Sequence, residues 1–275
     1  MLDALRRLES ALDTDRGLAI AVSGGVDSLT LAWVAGGLRR PGVQMMHAVS
    51  PAVPTAATER VRRHAREAGW DLRIVDAGEY DDADYRRNPV DRCFYCKTSL
   101  YSRIRSLTDA TIASGTNLDD LGDFRPGLAA AREHAVRHPF VEAGIDKAMV
   151  RRIAAHLDLH DIAELPAQPC LASRVETGIA IDARDLAFVG RVEEAVAGVV
   201  GPGDIRCRLT SGGVYLELPP ALLDCAPDAA ERLDRLVAGL CAAQGRRYAG
   251  RRGYRRGSAF LLAQAEPHAA PGSDR

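Results

Sequence analysis

The first half of the chain alternates short apolar runs with amphipathic segments. Four runs have the length of buried strands: 18–24, 43–49, 71–78 and 110–115. Helical patterns occupy the intervals around them: 1–15, 28–38, 55–69, 126–136 and 146–159. Strands that alternate with helices at this spacing indicate a parallel sheet with right-handed crossovers.

The pattern changes after a loop at 163–180. A helical pattern at 182–199 is followed by two alternating runs around the turn SGG (211–213), which predicts an antiparallel hairpin. A helix at 228–243 and a strand near 247–262 follow. Strands that come in runs rather than in alternation with helices are typical of an α+β unit.

Two domains follow from this change of pattern. Residues 1–165 are predicted to form an α/β domain around a doubly wound parallel sheet. Residues 166–265 are expected to form a second, smaller α+β domain, and the polar tail at 266–275 is expected to be disordered. In a doubly wound sheet the first and fourth strands end side by side, so the loops that follow them can share one ligand.

Composition and charge exclude several classes of protein. Hydrophobic residues make up 47% of the chain and charged residues 27%, which is typical of a globular protein. The net charge of −1 gives no overall attraction to nucleic acid. No apolar stretch approaches the ~18 residues of a membrane span, and the N-terminus lacks the features of a signal peptide. We therefore expect a cytoplasmic protein without a membrane or nucleic-acid partner.

The loop between the first strand and the following helix has the composition of a phosphate-binding loop. Its two glycines allow backbone amides to approach an anion, and the helix N-terminus adds a favourable dipole. The chain has no Gly-Lys pair, so the lysine that serves γ-phosphate transfer in P-loop enzymes is absent. The candidate ATP-binding residues are Ser23, Gly24, Gly25, Val26, Asp27 and Ser28.

Three of the six cysteines are candidates for chemistry. Cys93 and Cys96 form a C-x-x-C, and Cys170 follows in a proline-containing loop. A C-x-x-C alone is compatible with half of a zinc site, a redox dithiol or part of an iron–sulfur site. The other three are interpreted as small buried hydrophobic residues: Cys207, Cys225 and Cys241.

The loop sequence SGGxDS resembles the PP-loop of the N-type ATP pyrophosphatases. The resemblance implies a PP-loop (HUP-like) fold in which the loop holds the pyrophosphate end of ATP. An acid then attacks the α-phosphorus and an adenylate forms. A second nucleotide-binding loop of that superfamily is similar to four residues at the end of the fourth strand: Ser114, Gly115, Thr116 and Asn117.

Three longer motifs resemble the LarE family of ATP-dependent sulfur transferases, which act in nickel-pincer nucleotide synthesis. The motifs are NPxDRCxxCK, GTNxDDxGDxRPG and PCLASR, within a resemblance that runs from about residue 17 to 257. The resemblance implies a substrate like pyridinium-3,5-biscarboxylic acid mononucleotide. Each carboxylate is adenylated and then converted to a thiocarboxylate, and AMP and pyrophosphate are released.

The resemblance also implies two ways to supply sulfur. Members with one cysteine give up the sulfur of the residue that matches Cys170. In members with three, the residues that match Cys93, Cys96 and Cys170 hold a [4Fe-4S] cluster, and this chain has all three. The implied cofactors are thus ATP, Mg²⁺ and a [4Fe-4S] cluster, and the family forms trimer-based homo-oligomers. Further substrate-binding candidates are Arg174, Arg206, Arg208, Glu194 and Glu217.

Several alternatives stay open at this stage. A PP-loop enzyme that thiolates tRNA also uses three cysteines and a cluster, whereas an ammonia-dependent amide ligase of the NAD synthetase type needs none. A nucleotide-binding regulatory module would bind ATP without splitting it. Asp119, Asp120 and Asp123 could bind Mg²⁺ or cap a turn, and an arginine run at 246–256 could be an anion-binding patch or a solvated strand edge.

Overall fold

The computed structural model describes residues 1–122, 125–201, 203–223 and 227–254. Its first part contains four strands: β1 (Leu18–Ala21), β2 (Val43–Val49), β3 (Leu72–Asp76) and β4 (Thr111–Ser114). They form one all-parallel sheet in the order β3-β2-β1-β4. The α/β class with a doubly wound parallel sheet is confirmed, and β1 lies beside β4 as predicted.

Helices connect and flank these strands. They are α1 (Leu2–Ala11), α2 (Val26–Gly37), α3 (Thr55–Ala68), α4 (Ala83–Arg86), α5 (Arg92–Leu107), α6 (Gly127–Glu133), α7 (Pro139–Glu142), α8 (Lys147–His156) and α9 (His160–Ala163). Helix α2 begins at Val26 rather than at the predicted Ser28, because Gly25 already occupies the N-cap position. Helix α5, which carries the C-x-x-C, was not predicted.

The sheet is covered on both faces, which explains its continuous apolar strands. Leu18 and Ile20 of β1 pack in a core with residues of α1, α2, α3 and α8. Ala19 and Ile112 point to the opposite face and pack with α5 and α6. Successive strand residues thus contribute to alternate cores, as the two-residue period of a strand requires.

The second part of the chain forms a smaller mixed sheet. Helix α10 (Ala183–Val200) precedes the antiparallel pair β5 (Arg206–Thr210) and β6 (Gly213–Leu218), so the predicted hairpin is confirmed. The remaining elements are α11 (Pro220–Leu223), α12 (Pro227–Ala242) and β7 (Tyr248–Gly253), which pairs parallel with β6. Helices α10 and α12 bury their apolar faces against this sheet.

Two sequence expectations concern regions outside these elements. The predicted tail at 266–275 and the end of the strand expected near 247–262 lie outside the described residues. Within the described ranges, no helix is both long and apolar enough to cross a membrane.

Candidate active site

The loop between β1 and α2 is closed by hydrogen bonds between its two serines. The Ser28 hydroxyl accepts from the Ser23 backbone N–H at 3.0 Å and donates to the Gly25 carbonyl at 3.2 Å. Gly24 has a φ of +85°, and a Cβ there would lie 2.7 Å from the Ala57 carbonyl oxygen on α3. Only glycine fits this close approach, which explains the glycine in this turn.

The second predicted loop lies directly against the first. A Cβ on Gly115 would lie 2.8 Å from the backbone nitrogen of Ser28. The side-chain amide of Asn117, which is 1% exposed, donates to the Asp27 carboxylate at 3.2 Å. The two loops meet because β1 pairs with β4. The structure therefore brings the loops 23–28 and 114–117 together, and their binding of ATP stays a prediction.

A lysine not assigned from the sequence completes this group. Lys147, the first residue of α8, places its Nζ 2.5 Å from the Asp27 carboxylate. Its backbone N–H donates to Asp119 at 3.3 Å. The chain has only two lysines among 36 basic residues, so an ammonium at this loop stands out. Asp27 is thus held by a neutral donor and a cation, Asn117 and Lys147.

Two histidines make hydrogen bonds to residues within or next to these two loops. The Nδ1 of buried His47 lies 2.8 Å from the Val22 carbonyl, which can only accept, so Nδ1 carries the proton. Its Nε2 then accepts from the Thr58 hydroxyl at 2.9 Å. Burial lowers the pKa of His47, which favours this neutral form. His138 similarly contacts the Ser114 hydroxyl at 2.9 Å, and burial lowers its pKa.

The cysteine pair lies in the first two turns of α5, directly after the Asn-Pro segment. Asn88 is fully buried with a φ of +56°, a conformation that asparagine tolerates well. Its side-chain amide donates to the carbonyls of Glu176 at 2.9 Å and Ile179 at 2.8 Å. The NPxDRCxxC motif therefore fastens Cys93 and Cys96 to the segment that follows Cys170.

The Cys170 loop is held by a buried arginine. Arg174 is 3% exposed and donates to the carbonyls of Pro169 at 2.6 Å and Cys170 at 3.2 Å. Its other donors bind both carboxylate oxygens of Glu193 at 2.8 Å. In this arrangement Arg174 fixes the backbone of the cysteine loop, and contact with substrate stays a prediction.

The three predicted cysteines share one electrostatic environment. All three are free thiols and half-buried. Burial is the largest cause that raises the pKa of Cys96 to about 12, and Cys170 adds to the rise. Burial and Cys170 also raise the pKa of Cys93. Both shifts favour the protonated thiols, and a bound metal or a nearby cation would favour the thiolate forms.

Lys97 supplies a cation beside these thiols. Burial acts to lower its pKa, but the effects of Tyr101, Cys96 and Cys93 outweigh burial and raise it. Across the described ranges, no three His, Cys, Asp or Glu side chains are grouped tightly enough to hold a single metal ion. A four-iron cluster is larger than one ion, and three thiols with a nearby cation are a donor set that suits it.

One arginine joins the nucleotide loop to the cysteine loop. The Arg60 guanidinium on α3 donates to the Gly24 carbonyl at 2.8 Å and to the Gln168 side chain at 3.1 Å. In the same region the Leu171 backbone N–H donates to the Ala52 carbonyl at 2.8 Å. Helix α3 and the turn before it therefore contact both loops, which places the Cys170 loop near the loop 23–28.

Of the four remaining substrate-binding candidates, three are buried and one is exposed. Arg208 and Glu217 form a buried ion pair at 2.8 Å, and Arg252 also binds Glu217 at 2.9 Å. Arg206 is buried and donates to the Ala167 carbonyl at 2.9 Å. Glu194 is exposed, whereas its neighbour Glu193 faces Arg174.

We expect Arg208→Ala to lower the free energy of unfolding by about 3 kcal/mol, because it removes a cation from the buried Glu217 carboxylate. Chemical denaturation would measure this loss. Arg247→Ala, at an exposed position, is the control and should change stability little. Equal stability of both variants would contradict the structural role of the pair. The substrate role of Arg206 and Arg208 stays a prediction.

The acidic turn and the arginine run make mainly local contacts. Asp120 accepts from the Asn117 backbone N–H at 3.1 Å and pairs with Arg125 at 2.7 Å, as a capping residue does. Asp123 lies outside the described residues, as do Arg255, Arg256 and Cys225. In the arginine run, three members pair with carboxylates: Arg246, Arg251 and Arg252. These pairs favour the strand-edge interpretation.

Comparisons with known proteins identify three relatives by sequence. No family model matches the chain. It is 36% identical over 223 residues to an uncharacterized protein of Synechocystis, slr1717, across 80% of this chain and 81% of the relative. It is 26% identical to MJ0830, an uncharacterized protein of Methanocaldococcus jannaschii, across 70% and 74% of the two chains.

A third relative has a named activity. The pyridinium-3,5-bisthiocarboxylic acid mononucleotide synthase of Lactiplantibacillus plantarum is 27% identical over 219 residues. The match covers 78% of this chain and 79% of that enzyme. A match of this length must include residues of both sheets, so the similarity is not confined to one motif. The chain therefore belongs to the same family as its Synechocystis relative, and it is similar to the Lactiplantibacillus enzyme across most of both chains.

Proposed function

We propose that this protein is an ATP-dependent sulfur transferase that adenylates a substrate carboxylate and converts it to a thiocarboxylate. The observation that carries the proposal is the Arg60 bridge between the phosphate loop and the Cys170 loop. It supports a single site in which an activated acyl group can meet sulfur. The named activity of the Lactiplantibacillus enzyme supports pyridinium-3,5-biscarboxylic acid mononucleotide as the substrate.

In the first step a carboxylate oxygen attacks the α-phosphorus of ATP, and the bond to the pyrophosphate oxygen breaks. The leaving pyrophosphate carries negative charge that the loop 23–28 can accept through backbone N–H groups and the N-terminus of α2. The Lys147 ammonium beside Asp27 adds a cation at this end of the loop. Mg²⁺ bound to the phosphates would neutralise further charge.

In the second step hydrosulfide attacks the carbonyl carbon of the acyl adenylate, and AMP leaves with the bonding electrons. The products are a thiocarboxylate, AMP and one proton. AMP is a far better leaving group than oxide, so adenylation makes a poor acyl donor reactive. When bound by Cys93, Cys96 and Cys170, a [4Fe-4S] cluster would supply an iron with an open position for sulfide.

The domain boundaries, assembly, location and partners of the protein are part of the same proposal. We propose a nucleotide domain at 1–165 and a second domain at 166–265. We also propose a trimer-based assembly in the cytoplasm, with the mononucleotide and no nucleic acid as partner. Sedimentation tests the assembly, and limited proteolysis near residue 165 tests the domain boundary.

The experiment that tests the function combines anaerobically purified protein with ATP, the biscarboxylic acid mononucleotide and sulfide. Mass spectrometry should detect the mono- and bisthiocarboxylate products, with more than one sulfur transferred per chain. Omission of ATP is the control and should give no product. Bound but uncleaved ATP, with unmodified substrate, would contradict the proposal and favour a regulatory module.

A further inference from the structure

The apolar cluster that includes Cys96 and Cys170 also contains two tyrosines whose buried hydroxyls make no hydrogen bond of normal geometry outside the pair. Tyr80 lies in a short 3-10 turn (Glu79–Asp81), and Tyr85 lies in α4. Tyr85 is 2% exposed, and the hydroxyl oxygens of both residues are shielded from solvent. The two hydroxyls interact with each other, and neither makes a hydrogen bond of normal geometry to any other described residue. A buried hydroxyl in this state lowers stability unless something binds it.

The two tyrosines lie in the same part of the fold as two of the three cysteines. Tyr80 and Tyr85 pack in the same apolar cluster as Cys96 and Cys170, with their ring centroids 5.6 Å apart. Both phenols interact electrostatically with Cys170, and Tyr85 also does so with Cys96. The two hydroxyls therefore lie in the part of the fold that also holds Cys96 and Cys170.

Burial, with a smaller effect of a nearby carboxylate, keeps both phenols as donors. Burial is the largest cause that raises the pKa of each phenol, and the buried Glu79 carboxylate adds to the rise. Both groups thus stay protonated at neutral pH and can donate one hydrogen bond each. An anionic sulfur is a suitable acceptor because a hydrogen bond to a charged group is stronger than one between neutral groups.

We infer that Tyr80 and Tyr85 donate hydrogen bonds to sulfide held among Cys93, Cys96 and Cys170. The inference rests on the proposed function and makes the two tyrosines positioning residues for the sulfur that is transferred. Their hydroxyls would hold this sulfur in place, and they would make reduction of an iron–sulfur cluster easier, because hydrogen bonds to sulfur offset added negative charge.

The test compares Tyr85→Phe with Tyr248→Phe, whose hydroxyl donates to Asp234 at 2.6 Å. In iron-free protein, Tyr85→Phe should melt at or above the parent temperature, because it removes an unbound polar group. Tyr248→Phe should melt roughly 4 °C lower, because it loses a real hydrogen bond. After anaerobic loading with iron and sulfide, Tyr85→Phe should gain less thermal stability than the parent. Its reduction potential should be more negative.

Three outcomes would overturn the inference. One is that iron-free Tyr85→Phe loses as much stability as Tyr248→Phe. That result would show that the Tyr85 hydroxyl has a hydrogen-bonding partner within the protein. Another is a loaded variant with the parent's potential and stability gain. The third is that the parent protein takes up neither iron nor sulfide. In that case a measurement of pyrophosphate release shows whether adenylation, the first step of the proposed function, still occurs. If Tyr85→Phe does not fold, Tyr80→Phe provides the same comparison.

Discussion

Lys147→Met should lower the rate of ATP cleavage by about 100- to 1000-fold while leaving the fold intact. The ammonium lies 2.5 Å from the Asp27 carboxylate in the loop 23–28, where pyrophosphate charge develops in the proposed reaction as the α-phosphorus is attacked. A cation fixed at this point stabilises the transition state more than the ground state. Asp27→Ala should have a similar effect, because it frees Lys147 and removes the acceptor of Asn117.

The measurement is single-turnover formation of AMP, with circular dichroism as the check on folding. Arg40→Ala is the matched control, because it removes an exposed cation that pairs with Asp13 on the surface. A Lys147→Met rate within about threefold of the parent would show that the ammonium only holds Asp27, without a part in catalysis.

Cys170→Ala should abolish thiocarboxylate formation but leave pyrophosphate release measurable. The phosphate loop and the Asp27–Lys147 pair do not include this thiol, whereas sulfur transfer depends on it in the proposal. Cys93→Ala and Cys96→Ala should also lose the brown colour and the absorption at about 400 nm expected of a thiolate-bound cluster. Iron content per chain and quantification of both products measure the separation between the two steps.

Cys241→Ala is the control, because this buried cysteine packs among α10 and α12, in the second part of the chain. It should keep the iron content and the colour. A colourless active protein whose Cys170 becomes dehydroalanine would contradict the cluster. That result would show that Cys170 sacrifices its own sulfur and that Cys93 and Cys96 have no part in the transfer.

Most of the fold follows from local patterns in the sequence. The strand VQMMHAV is found at β2 with its predicted bounds, and the hairpin around Gly213 forms β5 and β6 as expected. Helix α5 escaped prediction because few of its residues are fully buried. Its buried apolar positions, Leu100, Tyr101 and Ile104, lie only in its second half.

The candidate site was less accessible from the sequence, because long-range contacts decide which side chains meet. Lys147 reaches Asp27 across 120 residues, so no local spacing indicates the pair. Glu193 rather than Glu194 faces Arg174, a difference that depends on the rotation of α10 against the cysteine loop. The burial of the Tyr85 hydroxyl likewise depends on packing between the two parts of the chain.

The central claim is that ATP is split at its α-phosphate, and the products of turnover test it most directly. Phosphorus NMR of a reaction with ATP and the biscarboxylic acid mononucleotide distinguishes the two possible outcomes. The account predicts AMP and pyrophosphate as the first products, because the loop 23–28 lacks the lysine of γ-phosphate transfer and, in the proposal, binds the leaving pyrophosphate instead. Direct formation of ADP and orthophosphate would contradict it.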